Sequence, residues 1–269
     1  MMRHQTPTPE DLCAIVIGHV DYSEHDRIVR LLSAEHGLIS AMARGALRPK
    51  NKTFSHSLDI GNRIRISINR SKTPGALWKL KEASLEKACH RARQSLFKTA
   101  LLTYCCEVIS MLAQPENEEP KLFALLSKVI EQLNAAGEGF GDRYRIAVEL
   151  KSLAFCGLTP TLRRCVACTE PLEDNYRFYK VEGGIFHNKC LPKRAQVLSP
   201  QRSELDDLLG VEISEAWRQA ALLTLYSPLE QSIGINMPPG PKWLFSEMIE
   251  QYRQRQIRSK NFLLSLEKL

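Results

Sequence analysis

The sequence predicts an α+β protein of more than one domain, in which a small five-stranded β-barrel precedes an α-helical domain with a small metal-binding insert. Three observations support this prediction. Short apolar segments separated by glycines and polar turns fill the first 80 residues, and apolar residues recur at helical spacing after Glu82. A group of Cys and His residues then interrupts the helical part within residues 160–196. A chain of 269 residues, 43% of them hydrophobic, is long enough for two or three small domains with real cores.

Five segments in residues 1–81 have the length and composition of β-strands. The clearest is Arg63–Ile68, where polar and apolar residues alternate as expected for a half-buried strand. Five short strands in a segment of this length match the size of an OB-type barrel, so residues 1–81 are predicted to form one. The segments are Cys13–Val20, Arg27–Leu32, Leu38–Ala43, Arg63–Ile68 and Leu77–Leu80.

Residues 82–269 are predicted to form the helical domain. The segment Leu96–Leu112 is apolar nearly all round, which indicates a buried helix. The stretch Trp243–Leu266 is compatible with one long helix or two short ones. The other helical segments are Leu122–Leu133, Tyr144–Leu153, a short one from Ser203 to Leu209, and Glu215–Leu225.

Four residues of the insert have the spacing of metal ligands. Cys165 and Cys168 are followed after 18 residues by His187 and Cys190, giving C-x2-C-x18-H-x2-C. Two such pairs can close a tetrahedron around Zn²⁺, and four protein ligands make the predicted site structural. The alternative is that these residues are free thiols and a surface histidine. A redox role is not favoured because no thioredoxin-like βαβ pattern surrounds the C-x2-C pair.

The positive charge is concentrated in the predicted barrel. The chain has a net charge of +7, and residues 1–81 carry 13 Lys and Arg against 7 Asp and Glu. Residues 44–81 contain ten basic residues and one acidic residue, Asp59. Lys and Arg that neutralise phosphates are the main source of sequence-independent affinity for nucleic acid, which predicts a DNA-binding barrel. The alternative is an ordinary solvated basic face.

Three aromatic residues of the barrel are available for base stacking: Tyr22, Phe54 and Trp78. So few aromatic side chains predict that the phosphate backbone dominates binding, with little readout of bases. The predicted DNA-binding residues are Arg27, Arg44, Arg48, Lys50, Lys52, Arg63, Arg65, Arg70 and Lys72.

Enzymatic and membrane functions are not predicted. The sequence has no Walker loop, no G-x-G-x-x-G after a strand, no H-E-x-x-H and no G-x-S-x-G. Asp21, Glu24 and Asp26 lie close together as in a metal-dependent nuclease, but a polar turn before a strand explains them equally. No apolar run approaches the length of a membrane span, and the polar start is unlike a secretory signal, so a cytoplasmic protein is expected.

Several short motifs follow one another in an order that resembles the RecO family of bacterial DNA-repair proteins, which are recombination mediators. The resemblance covers most of the chain, and it departs from the family at His187, where many members carry Cys. The motifs are Ala14–Ile17, Tyr22–Val29, Gly37–Leu38, Ala43–Ala46, Gly157–Cys168, Gly183–Gly184 with Cys190, and Arg258–Leu266.

The resemblance implies a non-enzymatic mediator that binds single- and double-stranded DNA and anneals complementary strands. It also implies binding to a RecR-type mediator and to the C-terminal tail of single-strand-binding protein, and help in loading the RecA recombinase. By position, Arg27, Arg44 and Arg48 resemble basic residues of the family. Such a protein is expected in the bacterial cytoplasm, associated with the nucleoid.

The alternative function is a protein-interaction scaffold whose basic barrel docks an acidic protein tail instead of DNA. Arg143 and Arg145 lie beside the apolar face of the third helix and are candidate contacts for such a tail. An ordinary solvated helix face explains the same two residues.

Overall fold

The computed structural model describes residues 9–48, 53–54, 56–135, 141–172, 176–190 and 210–266. These form two compact units. The first consists of residues 1–137 and 259–269, and the second of residues 138–258. The predicted division at residues 81 and 82 therefore falls within the first unit, which joins the barrel to the helices that follow it.

The first unit is built on a closed five-stranded barrel with strand order β1-β2-β3-β5-β4. The pairing of β3 with β5 is parallel, and the other four pairings are antiparallel. This confirms the OB-type barrel and all five predicted strands. The strands are β1 (Glu10–Asp21), β2 (Arg27–Ser33), β3 (Gly37–Ala43), β4 (Arg63–Asn69) and β5 (Trp78–Lys87).

Strand β5 ends six residues later than the predicted barrel boundary at residue 81. A bulge shifts its register against β4 between Ser67 and Ile68, so that Lys81 and Glu82 are both exposed. The bulge breaks the polar and apolar alternation, which is why the sequence pattern alone ends the strand too early.

The barrel interior is filled by alternate residues from all five strands. Trp78 and Phe54 belong to this core, with only 2% and 4% of their surface exposed. Burial of this apolar surface is the main contribution to barrel stability. It also removes these two rings from the set available for base stacking.

Three helices cover one side of the barrel in the first unit. They are α1 (His90–Arg93), α2 (Leu96–Leu112) and α3 (Pro120–Ala135). Helix α2 packs against β1 and α3 against β2. This explains why Ile15 is fully buried although the neighbouring residues of β1 point into the barrel. The prediction that α2 is buried nearly all round is confirmed.

The end of the chain returns to the first unit. The Ser259 N–H and hydroxyl groups both donate to the Glu107 carboxylate on α2, at 2.9 and 2.6 Å. Residues 258–266 form a helix, so that Trp243–Leu266 contains two short helices. The first of these ends at Gln254, whose left-handed backbone (φ 49°) stops it.

Among its described residues, the second unit combines four helices with a three-stranded antiparallel sheet of order β7-β6-β8. The predicted helix from Ser203 to Leu209 lies outside the described residues. The elements are α4 (Asp142–Phe155), β6 (Tyr176–Tyr179), β7 (Gly184–His187), β8 (Val211–Glu212), α5 (Glu215–Tyr226), α6 (Leu229–Ser232) and α7 (Leu244–Arg253), and α8 (Arg258–Leu266) follows them in the chain.

None of the helices in the described ranges combines the length and the apolar character needed to cross a membrane.

Gly37 offers a test of how the barrel meets the loop between α2 and α3. Its φ is +55°, and a Cβ there would lie 2.5 Å from the carbonyl oxygens of Gln114 and Asn117. We expect Gly37→Ala to lower the free energy of unfolding by roughly 2–5 kcal/mol, from backbone strain and steric overlap together. Urea unfolding would measure this.

Gly75→Ala is the matched control because Gly75 has a similar φ of +74°, but a Cβ there would have nothing within 4 Å. We expect Gly75→Ala to lower the free energy of unfolding by about 1–2 kcal/mol, which is the contribution of backbone strain alone. Equal losses in both variants would show that the close approach at Gly37 is unimportant.

Candidate metal centre and candidate nucleic-acid interface

The four predicted metal ligands meet in the second unit. The donor atoms of Cys165, Cys168, His187 and Cys190 all lie within 4.8 Å of one another. Nδ1 of His187 is 3.4 Å from Sγ of Cys168 and 3.9 Å from Sγ of Cys190. A tetrahedral Zn²⁺ with ordinary bond lengths places sulfur and nitrogen ligands about 3.5 Å apart. The cluster therefore has the donor types and spacing to hold a metal ion.

Turn geometry around the first cysteine pair brings its two thiols together. The Thr169 N–H donates to the Cys165 carbonyl at 2.9 Å, and the Cys165 N–H donates to the Glu170 carbonyl at 3.0 Å. Thr169 adopts a left-handed backbone (φ 63°), which closes the turn. Both thiols then face the same point from one short loop.

The β6–β7 hairpin supplies the other two ligands. Tyr176 pairs with His187 at its end, and the Cys190 N–H donates to the His187 carbonyl at 2.8 Å. Gly184 allows β7 to approach the segment that carries the first cysteine pair, since a Cβ there would lie 2.4 Å from the side chain of Val166, which lies between Cys165 and Cys168.

A second contact selects the ring nitrogen with which His187 faces the cluster. Its Nε2 lies 3.0 Å from the Pro171 carbonyl, and a carbonyl only accepts, so Nε2 carries the proton. Nδ1 is then unprotonated and directed at Cys168 and Cys190. A backbone acceptor on the second nitrogen is a common device for orienting a histidine ligand.

The surroundings of the cluster shift the pKa values of two of its thiols in opposite directions. Burial opposes ionisation of Cys165, but backbone N–H groups of Cys168, His187 and Ala167 lower the pKa of its thiol to about 6. Burial and the nearby sulfurs of Cys168 and Cys165 raise the pKa of the Cys190 thiol to about 11. Negative charge on one sulfur thus opposes ionisation of another, and a bound cation would remove that repulsion.

The predicted DNA-binding residues fall into distinct groups on the barrel. Arg63 and Arg65 both pair with Glu86, at 2.8 and 3.3 Å. The Cys13 thiol and these two guanidinium groups lower the pKa of Glu86, which keeps it ionised. A groove beside Arg65 is also lined by Asp11 and Glu82. The face formed by β1, β4 and β5 is therefore mixed in charge rather than basic.

Two further predicted residues also have acidic partners. Arg27 pairs with Asp21 at 2.8 Å across the end of β1 and β2. Arg70 pairs with Glu116, and this hydrogen bond lowers the pKa of the glutamate. Phosphate would have to compete with these carboxylates for both arginines.

Arg44, Arg48 and Lys72 are exposed and form no ion pair within the part of the chain that the structure describes. Lys50 and Lys52 lie outside that part. The turn that carries Arg44 and Arg48 is fixed on the β1–β2 hairpin. The Gly45 N–H donates to the Asp26 carboxylate at 2.8 Å, and the Leu47 N–H donates to the His25 carbonyl at 3.0 Å.

Lys79 and Lys81 join Arg44 on one face, although neither is among the predicted site residues. In the parallel β3–β5 pair, Met42 lies opposite Lys79 and Ala43 opposite Leu80. Arg44 directly follows Ala43 and Lys81 directly follows Leu80, so both cations lie at the end of this pair. All three cations are exposed, and none has an ion-pair partner among the described residues. We call Arg44, Lys79 and Lys81 the basic face.

Two of the three acidic residues that could suggest a nuclease site, Asp21 and Asp26, have structural partners instead, and Glu24 is exposed. Asp21 pairs with Arg27, and the Asp26 carboxylate accepts the Gly45 N–H. Within the described ranges, the group of donors that could hold a metal ion is the Cys and His cluster of the second unit.

Comparison with known proteins agrees with this architecture. Residues 11–88 match the family described as Recombination protein O N terminal, and residues 93–233 match Recombination protein O C terminal. The chain belongs to the RecO family.

Individual relatives support the same assignment. "DNA repair protein RecO" of Myxococcus xanthus is 33% identical over 177 residues, which is 66% of this chain and 70% of the relative. The protein of that name from Bacillus subtilis is 27% identical over 259 residues, covering 95% of this chain and 94% of the relative. The similarity to the second of these spans both units.

Arg145, predicted as a partner contact, lies inside the second unit of this RecO family member. Its side chain is 1% exposed and pairs with Asp142 at 2.8 Å and Glu149 at 2.9 Å. It also donates to the Lys242 carbonyl at 2.7 Å and stacks 3.8 Å from the centre of the Trp243 ring. Although burial opposes ionisation of Asp142, Arg145 lowers its pKa.

The prediction for Arg145 is corrected by this burial, because the side chain has no surface to offer a partner. Helical periodicity does not distinguish a buried arginine from an exposed one. Here the carboxylates of Asp142, three residues before Arg145, and Glu149, four residues after it, pair with the buried guanidinium group. Arg143 is exposed and stays a prediction.

Substitution of Arg145 tests its structural role. Arg145→Ala leaves the buried Glu149 without its cation, so we expect the free energy of unfolding to fall by about 3–5 kcal/mol. Arg143→Ala, on the exposed side of the same helix, should change it by less than about 0.5 kcal/mol. Chemical denaturation compares the two. A small effect of Arg145→Ala would contradict the structural role.

Metal content tests the cluster. We expect one metal ion per chain by elemental analysis, and loss of that ion in Cys165→Ser with a lower free energy of unfolding. His187→Cys keeps four donors and should retain the metal, whereas His187→Ala should not. Cys13→Ser, in the barrel, is the control and should leave the metal bound. A metal-free protein purified without chelator would contradict the site.

Proposed function

We propose that the protein is a non-enzymatic mediator of DNA repair and recombination that binds DNA through its barrel. Membership of the RecO family supports the role in DNA repair. The observation that carries the DNA-binding proposal is the basic face, in which Arg44, Lys79 and Lys81 share one side of the parallel β3–β5 pair. Arg48 and Lys72 extend the supply of exposed cations in the two neighbouring loops.

The proposed mechanism is neutralisation of DNA phosphates by the exposed Lys and Arg side chains. Each Lys or Arg that contacts a phosphate releases a counterion, which gives affinity without regard to sequence. Two complementary strands repel each other through their phosphates, and a surface that neutralises part of that charge lowers the cost of bringing them together. We therefore propose binding of single- and double-stranded DNA and annealing of complementary strands. A bacterial cytoplasmic protein associated with the nucleoid fits this activity.

The proposed protein partners come from the family resemblance. They are a RecR-type mediator, the C-terminal tail of single-strand-binding protein, and through these the RecA recombinase. Arg143 is the proposed contact residue for the acidic tail. We also propose Zn²⁺ as the ion of the Cys and His cluster, with Cys165, Cys168, Nδ1 of His187 and Cys190 as ligands. Four protein ligands leave no open position, so the ion would stabilise the second unit rather than act on substrate.

Binding across a salt series tests the DNA-binding proposal. We expect log affinity for duplex DNA to fall steeply with log salt concentration, with a slope of about −0.9 for each phosphate contacted. The triple variant Arg44→Gln, Lys79→Gln, Lys81→Gln should bind more weakly and with a slope shallower by about 2–3. Fluorescence anisotropy with labelled oligonucleotides measures both quantities.

A control variant with the same loss of charge separates a specific face from net charge. Arg65→Gln, Lys87→Gln, Lys121→Gln removes two cations held in ion pairs and one exposed cation on α3. It should keep most of the affinity and slope. Equal losses in the two triple variants would refute the basic face, and a failure of the wild type to bind DNA at low salt would favour the acidic-tail scaffold.

A further inference from the structure

One row of the barrel surface beside the basic face is apolar. Val20 pairs with Ile28 across β1 and β2, Ile28 pairs with Met42 across β2 and β3, and Met42 pairs with Lys79 across β3 and β5. The row therefore runs over three neighbouring strands and ends at the first lysine of the basic face.

The alternation of each strand places these side chains outside the barrel. Val29 on β2 and Ala41 and Ala43 on β3 belong to the barrel core, so their neighbours in the strands, Ile28 and Met42, point outward. Val20 is 63% exposed, and Ile28 and Met42 are half-buried. Three apolar side chains on one open face leave a surface that favours a partner with apolar area.

Tyr22 extends this row at the end of β1. It follows β1 directly, two residues after Val20, and is 66% exposed. Its N–H donates to the Asp26 carbonyl at 2.9 Å, and the Asp26 carboxylate in turn holds Gly45. The turn that carries Tyr22 is thus tied to the turn that carries Arg44.

The apolar row and the cations are close enough for one DNA strand to contact both. Asp21 pairs with Arg27 and Arg27 with Ala43, so Asp21 and Ala43, which directly precede Tyr22 and Arg44, are separated by two strand spacings, or about 10 Å. Of the three aromatic rings in the barrel considered for stacking, Tyr22 is the exposed one, since Phe54 and Trp78 lie in the core.

The acidic residues near Tyr22 decide which part of a nucleotide can lie there. Asp21 is paired with Arg27 and Asp26 holds Gly45, but Glu24 is exposed. A carboxylate at the turn disfavours phosphate and does not disfavour an uncharged base. The charges therefore direct phosphates to Arg44, Lys79 and Lys81, and bases to the apolar row.

We propose that Val20, Tyr22, Ile28 and Met42, here called the base strip, seat unpaired bases of a single strand whose phosphates lie on the basic face. The proposal rests on the proposed DNA-binding function and adds a preference between forms of DNA. A duplex hides the faces of its bases in its own stack, whereas a single strand offers them to side chains. The base strip accordingly strengthens binding of single strands alone.

Binding of matched oligonucleotides to three variants of the full chain tests the proposal. Stacking of one base on an aromatic ring changes affinity roughly 5- to 100-fold. Tyr22→Ala should weaken binding of a single-stranded oligonucleotide by a factor in this range and leave binding of a blunt duplex of the same length unchanged. Tyr22→Phe should restore wild-type affinity, because the ring and not the hydroxyl makes the contact.

Tyr252→Ala is the control, since Tyr252 is exposed to a similar extent (57%) in the second unit, and it should bind both forms as the wild type does. The slope of affinity against salt should stay constant in Tyr22→Ala, which separates stacking from phosphate contacts. Urea unfolding of Tyr22→Ala should match the wild type because the ring is exposed.

Photo-crosslinking gives an independent readout. A single-stranded oligonucleotide containing 5-iodouracil should crosslink to the peptide that carries Tyr22, and loss of the Tyr22 ring should remove that product. The base strip is refuted if crosslinks map only to other peptides, or if Tyr22→Ala binds both DNA forms as the wild type does or loses both equally. The proposed function fails separately, when the wild type binds neither form at low salt.

Discussion

Closure of the barrel by the parallel β3–β5 pair is the constraint on which the first unit depends. The pairing brings together two strands whose nearest ends, Ala43 and Trp78, are far apart in sequence, and Arg44, Lys79 and Lys81 lie within this pair or directly after it. It also closes the ring of paired strands among the described residues, so a ligand meets the faces of the barrel. One outer face is covered by α2 and α3. The face formed by β1, β4 and β5 is mixed in charge. The face over β2, β3 and β5 carries apolar side chains and cations together.

The second unit contains a small separate core around its Cys and His cluster. Around its Cys and His cluster the small sheet contributes few large apolar residues, chiefly Tyr179 and Phe186. So small a core buries little surface, and ligand bonds to one ion would replace what packing does not supply. The backbone has already arranged the donors: one turn aligns Cys165 with Cys168, a hairpin brings His187 and Cys190 to them, and the Pro171 carbonyl sets the tautomer of the histidine.

The sequence was informative where a local pattern has a local cause. Short apolar segments between glycines and polar turns identify every barrel strand, although the end of β5 is placed too early, and the C-x2-C and H-x2-C spacings identify the four donors that the structure brings together. The sequence was uninformative where the cause is a partner far along the chain. Glu86 follows the basic segment by only a few residues, yet no periodicity reveals that it pairs with both Arg63 and Arg65. Arg145 shows the same difficulty, because its burial depends on Trp243 and the Lys242 carbonyl. The register between β3 and β5 is likewise a property of the closed barrel.

The arrangement of cations and apolar side chains bears on how the proposed mediator could help two strands to pair. Electrostatic contacts alone hold a strand by its phosphates and leave the orientation of its bases open. In the proposed arrangement, stacking on Tyr22 and the neighbouring apolar row uses the faces of the bases and leaves their hydrogen-bonding edges exposed. A second strand can then be tested for complementarity while the first is held and its charge is partly neutralised. Neither contact reads the identity of a base, so the same surface serves any sequence. Once a duplex forms, the faces are withdrawn into its stack, and the stacking contribution to binding is lost with them.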